Sequence, residues 1–399
     1  MNRSGDNQLT DGGAEVVWTR DFVLLLVSSL LLWCSFYLPL ITLPIYIVRD
    51  LGGNSTQVGL LSTVVSLVAM VARPFAGNAM DRLGRRPIHL GTLLLFGIMT
   101  LGYGLPGGLA GVFLVRAVNG LPFGGATSAA QTVAADLVPE KRRGEGLGYA
   151  GMAATVATAV GPAIALSLLE SGTFTRVVLS SAGLAAGALL LALPIRHPLI
   201  RDPRARLSLS ALLEPRVGRL AVTCALALIG YGGVVSFVTL YAQQLGIAHP
   251  GWFFTASALG SLVSRPVGGA VFDRRGPRPV AVACLALMLG SYVTLGLGRG
   301  EVAFLAAGCL LGLGQTSLVL AMQTMAVNVV PAERRGASGA TVFSAIDLGI
   351  GFGSYALGAL ADGAGSYAVM YQIAAALLLL PAAMFFLWVM PQYDQQMAA

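Results

Sequence analysis

The stretch Arg73-Pro-Phe-Ala-Gly-Asn-Ala-Met-Asp-Arg-Leu-Gly-Arg-Arg-Pro87 returns 192 residues later as Arg265-Pro-Val-Gly-Gly-Ala-Val-Phe-Asp-Arg-Arg-Gly-Pro-Arg-Pro279. The same interval carries Gln131-Thr132 onto Gln323-Thr324, Pro139 onto Pro331, and Arg142-Arg143-Gly144 onto Arg334-Arg335-Gly336. An offset held over about 70 residues without a gap is longer than the period of any short solenoid repeat, roughly 20–50 residues. The chain is a tandem duplication of a unit about half its length.

Composition says where that unit lives. Charged residues are 11% of the chain and hydrophobic ones 56%, against about 25% charged in soluble domains. Apolar runs reach the roughly 20 residues that cross about 30 Å of hydrocarbon as a helix. Twelve are predicted, near 22–48, 55–79, 87–107, 110–135, 144–169 and 174–195 in the first half, then 217–244, 251–272, 278–298, 301–328, 336–360 and 366–390 in the second. The 51 glycines suit closely packed membrane helices. The expected fold class is an all-α integral membrane protein, with twelve transmembrane helices in two pseudo-symmetric six-helix bundles.

The net charge of +7 is explained by position. With a cytoplasmic N-terminus, 21 of the 25 Lys and Arg residues fall at or near cytoplasmic ends; Arg49, Arg176 and Arg299 fall outside, and Arg116 lies within a span. The positive-inside rule then puts both termini in the cytoplasm. The resulting division is a tail at 1–20, a bundle at 21–195, a linker at 196–216, a second bundle at 217–390 and a tail at 391–399. Six Arg between Arg196 and Arg219 mark the linker, and topology accounts for them without nucleic acid. Residues 1–20 show no short apolar region with a small-residue cleavage site, and the first span is too long for a cleaved signal peptide. Cys34, Cys224, Cys284 and Cys309 lie in separate spans, and His89, His197 and His249 are scattered. No disulfide framework, metal site or cofactor is expected from them.

Gly77-Asn-Ala-Met-Asp81-Arg82-Leu-Gly84-Arg85-Arg86 resembles the loop signature of the major facilitator superfamily, and Asp273-Arg274-Arg275-Gly276 stands as its weaker copy. The resemblance covers the whole membrane region. It implies a secondary transporter in which two bundles rock around a midplane site, by alternating access. Gly77 is expected to let helices pack, and Asp81, Arg82, Gly84, Arg85, Arg86, Asp273 and Arg274 to form a charged conformational gate. The alternative for the arginines is a purely topological role.

Arg116 opens Arg116-Ala-Val-Asn119-Gly120-Leu-Pro-Phe-Gly124, which is similar to the fourth-helix signature of proton-driven exporters in that superfamily. Its alternative is snorkelling to the headgroups. Arg116, Asn119, Phe123, Thr127 and Gln131 share one helical face, and the 192-residue shift brings Gln315 and Gln323 onto the matching face of the tenth span. These residues, with Trp33 and Tyr37 of the first span, are candidates to line a substrate cavity. For Gln131 and Gln323 a helix-to-helix hydrogen bond is an equal reading. Asp347 is the one acidic residue deep in a span, and is the candidate proton site, paired in function with Arg116. A static packing role and direct contact with a cationic substrate are its rivals.

In the fifth span Gly148 and Gly161-Pro162 resemble the antiporter signature and are assigned to helix packing, but Ala157 and Ala165-Leu166 replace expected glycines. Asp347-Leu-Gly349-Ile-Gly351 and Glu145-Gly146 resemble exporters of amino-acid-derived metal chelators. The chain has no G-x-x-x-x-G-K-[ST] loop for direct ATP drive, and no grouping of catalytic residues. The expected activity is export of a drug, metabolite or metallophore driven by the proton gradient, with protons, lipids and a small molecule as partners, and a monomer as the working unit. Uptake of a sugar or organic acid is the first rival, and an embedded enzyme or sensor the remote one.

Overall fold

The computed structural model describes residues 17–105, 107–139, 142–170, 172–197, 214–331 and 334–398. Most of the 196–216 linker and the 1–20 tail lie outside the described residues. Among those described, helices alone make the architecture. In the first half these are α1 (Arg20–Arg49), α2 (Ser55–Leu83), α3 (Arg85–Leu101), α4 (Gly108–Leu137), α5 (Arg143–Glu170) and α6 (Phe174–Ala192). The second half has α7 in two segments (Gly218–Ala227 and Ile229–Gln244), α8 (Trp252–Arg275), α9 (Pro277–Leu297), α10 (Gly300–Asn328), α11 (Arg335–Ala364) and α12 (Tyr367–Met384). A π-helical turn at Phe385–Val389 carries α12 on into Met390–Ala398, so residues 391–398 are helical.

Local chemistry sets the helix ends. Thr19 accepts from the Phe22 amide at the start of α1, and Asn54 and Gln57 form a reciprocal capping box at the start of α2. The motif glycines end α2 and α8 in backbone conformations that side chains disfavour, with φ of 98° at Gly84 and 77° at Gly276. These two positions are related by the repeat, so the duplicated signature is first of all a pair of sharp turns.

Among the described residues, eleven helices are long and apolar enough to cross a membrane by length and composition. The remaining crossing is α8, which carries Thr255, Ser257, Ser261, Ser264 and Arg265. Its serines are satisfied within the bundle: Ser261 donates to the Gly312 carbonyl at 3.3 Å, and Ser264 donates to the Leu313 carbonyl and bonds Ser317. Polar atoms are tolerated at membrane depth when protein satisfies them in this way.

Packing repeats with the sequence. Helix α2 lies on α4 as α8 lies on α10; α1 lies on α5 and α6 as α7 lies on α11 and α12. One contact shows the equivalence in detail. A Cβ at Gly120 would stand 3.1 Å from the Val65 carbonyl oxygen, and one at the repeat-related Gly312 would stand 1.7 Å from that of Ser257. The bundles meet along two seams, α2 against α11 and α5 against α8, which the repeat also exchanges.

Candidate functional site

Call the end of the molecule that holds the Gly84 and Gly276 turns the basic end. At the opposite end the seams are shut by main chain. A Cβ at Gly59 would stand 2.1 Å from the Ser354 carbonyl oxygen, and one at Gly358 would stand 2.5 Å from that of Ser55. Asp362, near the end of α11, accepts from the Ser55 and Thr56 amides at 3.0 and 2.7 Å, a carboxylate placed on the positive N-terminus of α2. One layer deeper, Ser62, Ser236 and Ser354 form a hydroxyl chain with 3.0 Å links across α2, α7 and α11.

At the basic end the same helices stand apart. Gly77 on α2, Gly148 on α5, Gly269 on α8 and Gly339 on α11 would each receive a Cβ with no other atom within 4 Å. The packing expected of Gly77 and Gly148 is not made in this conformation: both face open space at the splayed end. Gly161 does pack, its added Cβ standing 2.8 Å from Tyr37 Cβ on α1, beside Pro162 within α5.

Where the α2–α11 seam opens into this cleft, Arg73 Nη2 lies 3.1 Å from Asp347 Oδ2, with side chains 22% and 19% exposed. Asp347 Oδ2 has no hydrogen-bond partner of proper geometry, so the pair is held by charge at close range and not by an aligned bond. Arg73 also sits 5.8 Å from the Phe343 ring centre. Arg73 was counted by sequence among the basic residues near a cytoplasmic end; the structure makes it the counter-ion of Asp347.

Arg116 is elsewhere. It is 1% exposed, about two turns from the Gly108 end of α4. Its Nη1 donates to the Tyr103 hydroxyl at 3.3 Å and its guanidinium lies 5.2 Å from the Phe36 ring centre. These partners are all in the first bundle. Arg116 is therefore not at Asp347, and its burial rules out the snorkelling reading.

Around Arg116 stands an aromatic wall. Phe36 stacks on Phe123 at 3.8 Å and 8°, Trp33 meets Phe123 edge-on at 5.3 Å, and Tyr37 accepts from Thr158 on α5 at 2.8 Å. Trp33 and Tyr37 are half-buried, whereas Phe123 is buried. Asn119 turns its amide to α3, donating to Thr100 Oγ1 at 3.1 Å and to the Phe96 carbonyl at 3.4 Å, and Thr127 bonds back to Phe123 and Gly124. Both are thereby occupied with the first bundle and not with the cleft. Gln131 is exposed; Gln315 and Gln323 are half-buried, and Gln315 accepts from Thr316.

The charged turn is an arrangement within one bundle. Arg85 donates to Asp81 at 2.7 Å and to Asp136 at 3.2 Å, tying the ends of α2 and α4, while Arg86 donates to the Leu193 carbonyl. Arg82, Asp273 and Arg274 are exposed. The second copy differs because the repeat places Pro277 and Asn328 where Arg85 and Asp136 stand.

Two contacts were not foreseen. His89 and His197, far apart in sequence, meet with Nδ1 and Nε2 at 3.0 Å; burial holds the His197 imidazole below its usual pKa. At the linker exit Glu214 accepts from Arg334 Nε at 2.7 Å, and this bond lowers its carboxyl pKa. Among the described residues, no three His, Cys, Asp or Glu side chains are grouped to hold a metal.

Comparison with known proteins gives a consistent result. The model of the Major Facilitator Superfamily matches residues 25–250 and 248–397. The chain is 24% identical over 357 residues to the staphylopine export protein of Staphylococcus aureus, covering 85% of this chain and 89% of that protein. It is 27% identical over 337 residues to the multidrug resistance protein MdtG of Escherichia coli, covering 78% and 80%. Among solved structures, a bacterial homologue of the human lysosomal transporter Spinster superposes with a TM-score of 0.76 at 17% identity, covering 96% and 99%. The nucleoside transporter NupG gives 0.74 at 15% identity, covering 92% and 99%.

Proposed function

We propose, for a chain that belongs to the Major Facilitator Superfamily and is a multi-pass membrane transporter and not an enzyme, that it exports a small organic molecule in exchange for protons, with the Arg73–Asp347 pair as the coupling element. The observation that carries this reading is the placement of that pair: one ionisable residue from each bundle, in contact where the seam opens into the cleft.

The physics runs from the pair to the seam. An arginine keeps its charge under all physiological conditions, so only Asp347 can change state. Protonation of Asp347 removes the attraction and leaves Arg73 to seek water or another anion. The basic end, taken as cytoplasmic from the charge distribution, is open while Asp347 is ionised. Substrate enters there and meets the half-buried Trp33 and Tyr37. In the alternate state the four seam glycines at the basic end close on one another, and the Asp362 cap on α2 releases. Arg85, Asp81 and Asp136 keep the first bundle rigid as it turns. Relatives named for staphylopine export and for multidrug resistance support the outward direction.

The test is proton flux from purified protein in liposomes holding a pH-sensitive dye, challenged with cationic drugs, chelators and sugars. Substrate-dependent flux lost in Asp347→Asn and in Arg73→Gln supports the reading. Unchanged coupling in Asp347→Asn removes the pair from the mechanism, and uptake down the gradient in place of release reverses the direction.

A further inference from the structure

Three arginines lie within the membrane-spanning helices away from their ends, and each has solved a different problem. Arg73 has Asp347. Arg116 has the Tyr103 hydroxyl and the Phe36 ring. Arg265 on α8 has neither: its Nε is buried without a hydrogen-bond partner, as those of Arg73 and Arg116 are, but no carboxylate, hydroxyl or ring among the described residues takes up its charge.

Duplication explains the vacancy. The 192-residue shift carries Arg73 onto Arg265 and Thr155 onto Asp347, so the α5–α8 seam keeps the cation of the α2–α11 seam and has a hydroxyl where the anion would be. Thr155 already donates to the Gly151 carbonyl at 3.5 Å. Gly151 itself leaves room, since a Cβ there would stand 3.6 Å from Arg265 Nη1. The guanidinium faces away from lipid: Val263 and Val267, 60% and 58% exposed, are each about 200° around the helix from it.

A guanidinium cannot shed its proton, and this one, with no internal counter-ion, is half-buried beside the open cleft, where its fork can meet an incoming anion. From this we propose that Arg265 is a binding residue for the anionic group of the transported molecule, and that this molecule is an organic carboxylate. The inference deepens the transport reading and rests on the cleft being the route of the substrate. A carboxylate accepts two parallel bonds from a guanidinium, which orients the ligand across the α5–α8 seam. Substrate and seam then form, in that half, the ion pair that Arg73 and Asp347 form by themselves in the other.

The experiment reads equilibrium binding and not flux, so that a failure of export or of proton coupling leaves its answer intact. Full-length protein in neutral detergent is melted with benzoate, 4-phenylbutyrate or N-acetylphenylalanine, with the corresponding amides, and with chloride at equal ionic strength. Carboxylates are expected to raise the melting temperature saturably while amides and chloride do not. Arg265→Gln should weaken the apparent Kd about tenfold or more, Arg265→Lys should weaken it less, and Thr155→Asp, which supplies an internal anion, should abolish the effect. No carboxylate-specific stabilisation, or equal stabilisation in Arg265→Gln, overturns the proposal. A second arm adds phosphatidylglycerol micelles: stabilisation by that lipid alone, lost in Arg265→Gln, assigns the residue to headgroups and equally overturns it.

Discussion

The α2–α11 and α5–α8 seams descend from one ancestral surface and now do different things. The first is closed by its own residues from the far end to the edge of the cleft: the Asp362 cap, the Gly59–Ser354 contact, the serine chain and the Arg73–Asp347 pair. The second is lighter. Gly251 approaches Ala163 with an added Cβ at 3.3 Å, Thr255 donates to the Ala159 carbonyl at 3.4 Å, and Arg265 is without a counter-ion. Duplication supplied two copies of one seam, and an acid present in one and a threonine in the other separate a pair formed within the chain from a cation that a ligand can complete.

The largest effect expected from breaking this contrast is Asp347→Asn. Removing the one titratable member of the pair should abolish gradient-driven flux, read as proteoliposome proton flux, and leaving Arg73 unpaired should cost about 3 kcal/mol of stability. A double-mutant cycle with Arg73→Gln should return a coupling energy of about 1–3 kcal/mol in thermal or denaturant unfolding, because the two side chains touch. A coupling near zero would make the 3.1 Å approach incidental.

Next in size is Gly59→Val. Its Cβ falls on main chain that cannot move aside, and should cost about 1–3 kcal/mol, whereas Gly251→Ala in the lighter seam should cost less. Spin-label distances across the basic end should shorten in Gly59→Val, as the end opposite is forced apart.

Gly77→Ala should change stability by no more than about 1 kcal/mol, and in the stabilising direction, since the helix gains propensity and nothing is struck. Its cost should appear in transport rate, when the basic end closes.

The smallest effect concerns the start of α11. Glu214 has its pKa lowered below the usual 4.5, chiefly by its bond from Arg334. The stability this brings is therefore present above that usual value and is lost as pH falls through the lowered one. Melting curves from pH 7 to pH 3 should show an acid loss that Glu214→Gln reduces.

Much of the fold was legible because duplication and hydropathy are written in linear order. All twelve spans were expected from apolar runs; α8 is the most polar of them, with its serines and Arg265, and only the packing against α10 shows how its serines are satisfied. The site was less legible. Asp347 stood out as a lone acid and Arg116 by its signature, but neither named the partner of Asp347, since spacing along a chain does not say which helices touch. The signal for Arg73 was present in the repeat itself: shifting Asp347 by 192 gives Thr155, while shifting Arg73 gives Arg265. A conserved offset with an unmatched charge points to the pair and the vacancy together. Gly77 and Gly148 face open space in this conformation. A small residue marks where helices can approach, and a splayed conformation leaves that approach unmade.

The shut end of the α2–α11 seam is backbone laid on backbone, with Gly59 against the Ser354 carbonyl and Gly358 against that of Ser55. Such a closure has almost no side chains to specify, so its fit does not depend on which residues face the cleft. A tryptophan, a tyrosine or an arginine in the cleft can then be exchanged without disturbing the surfaces on which the two bundles meet at the far end.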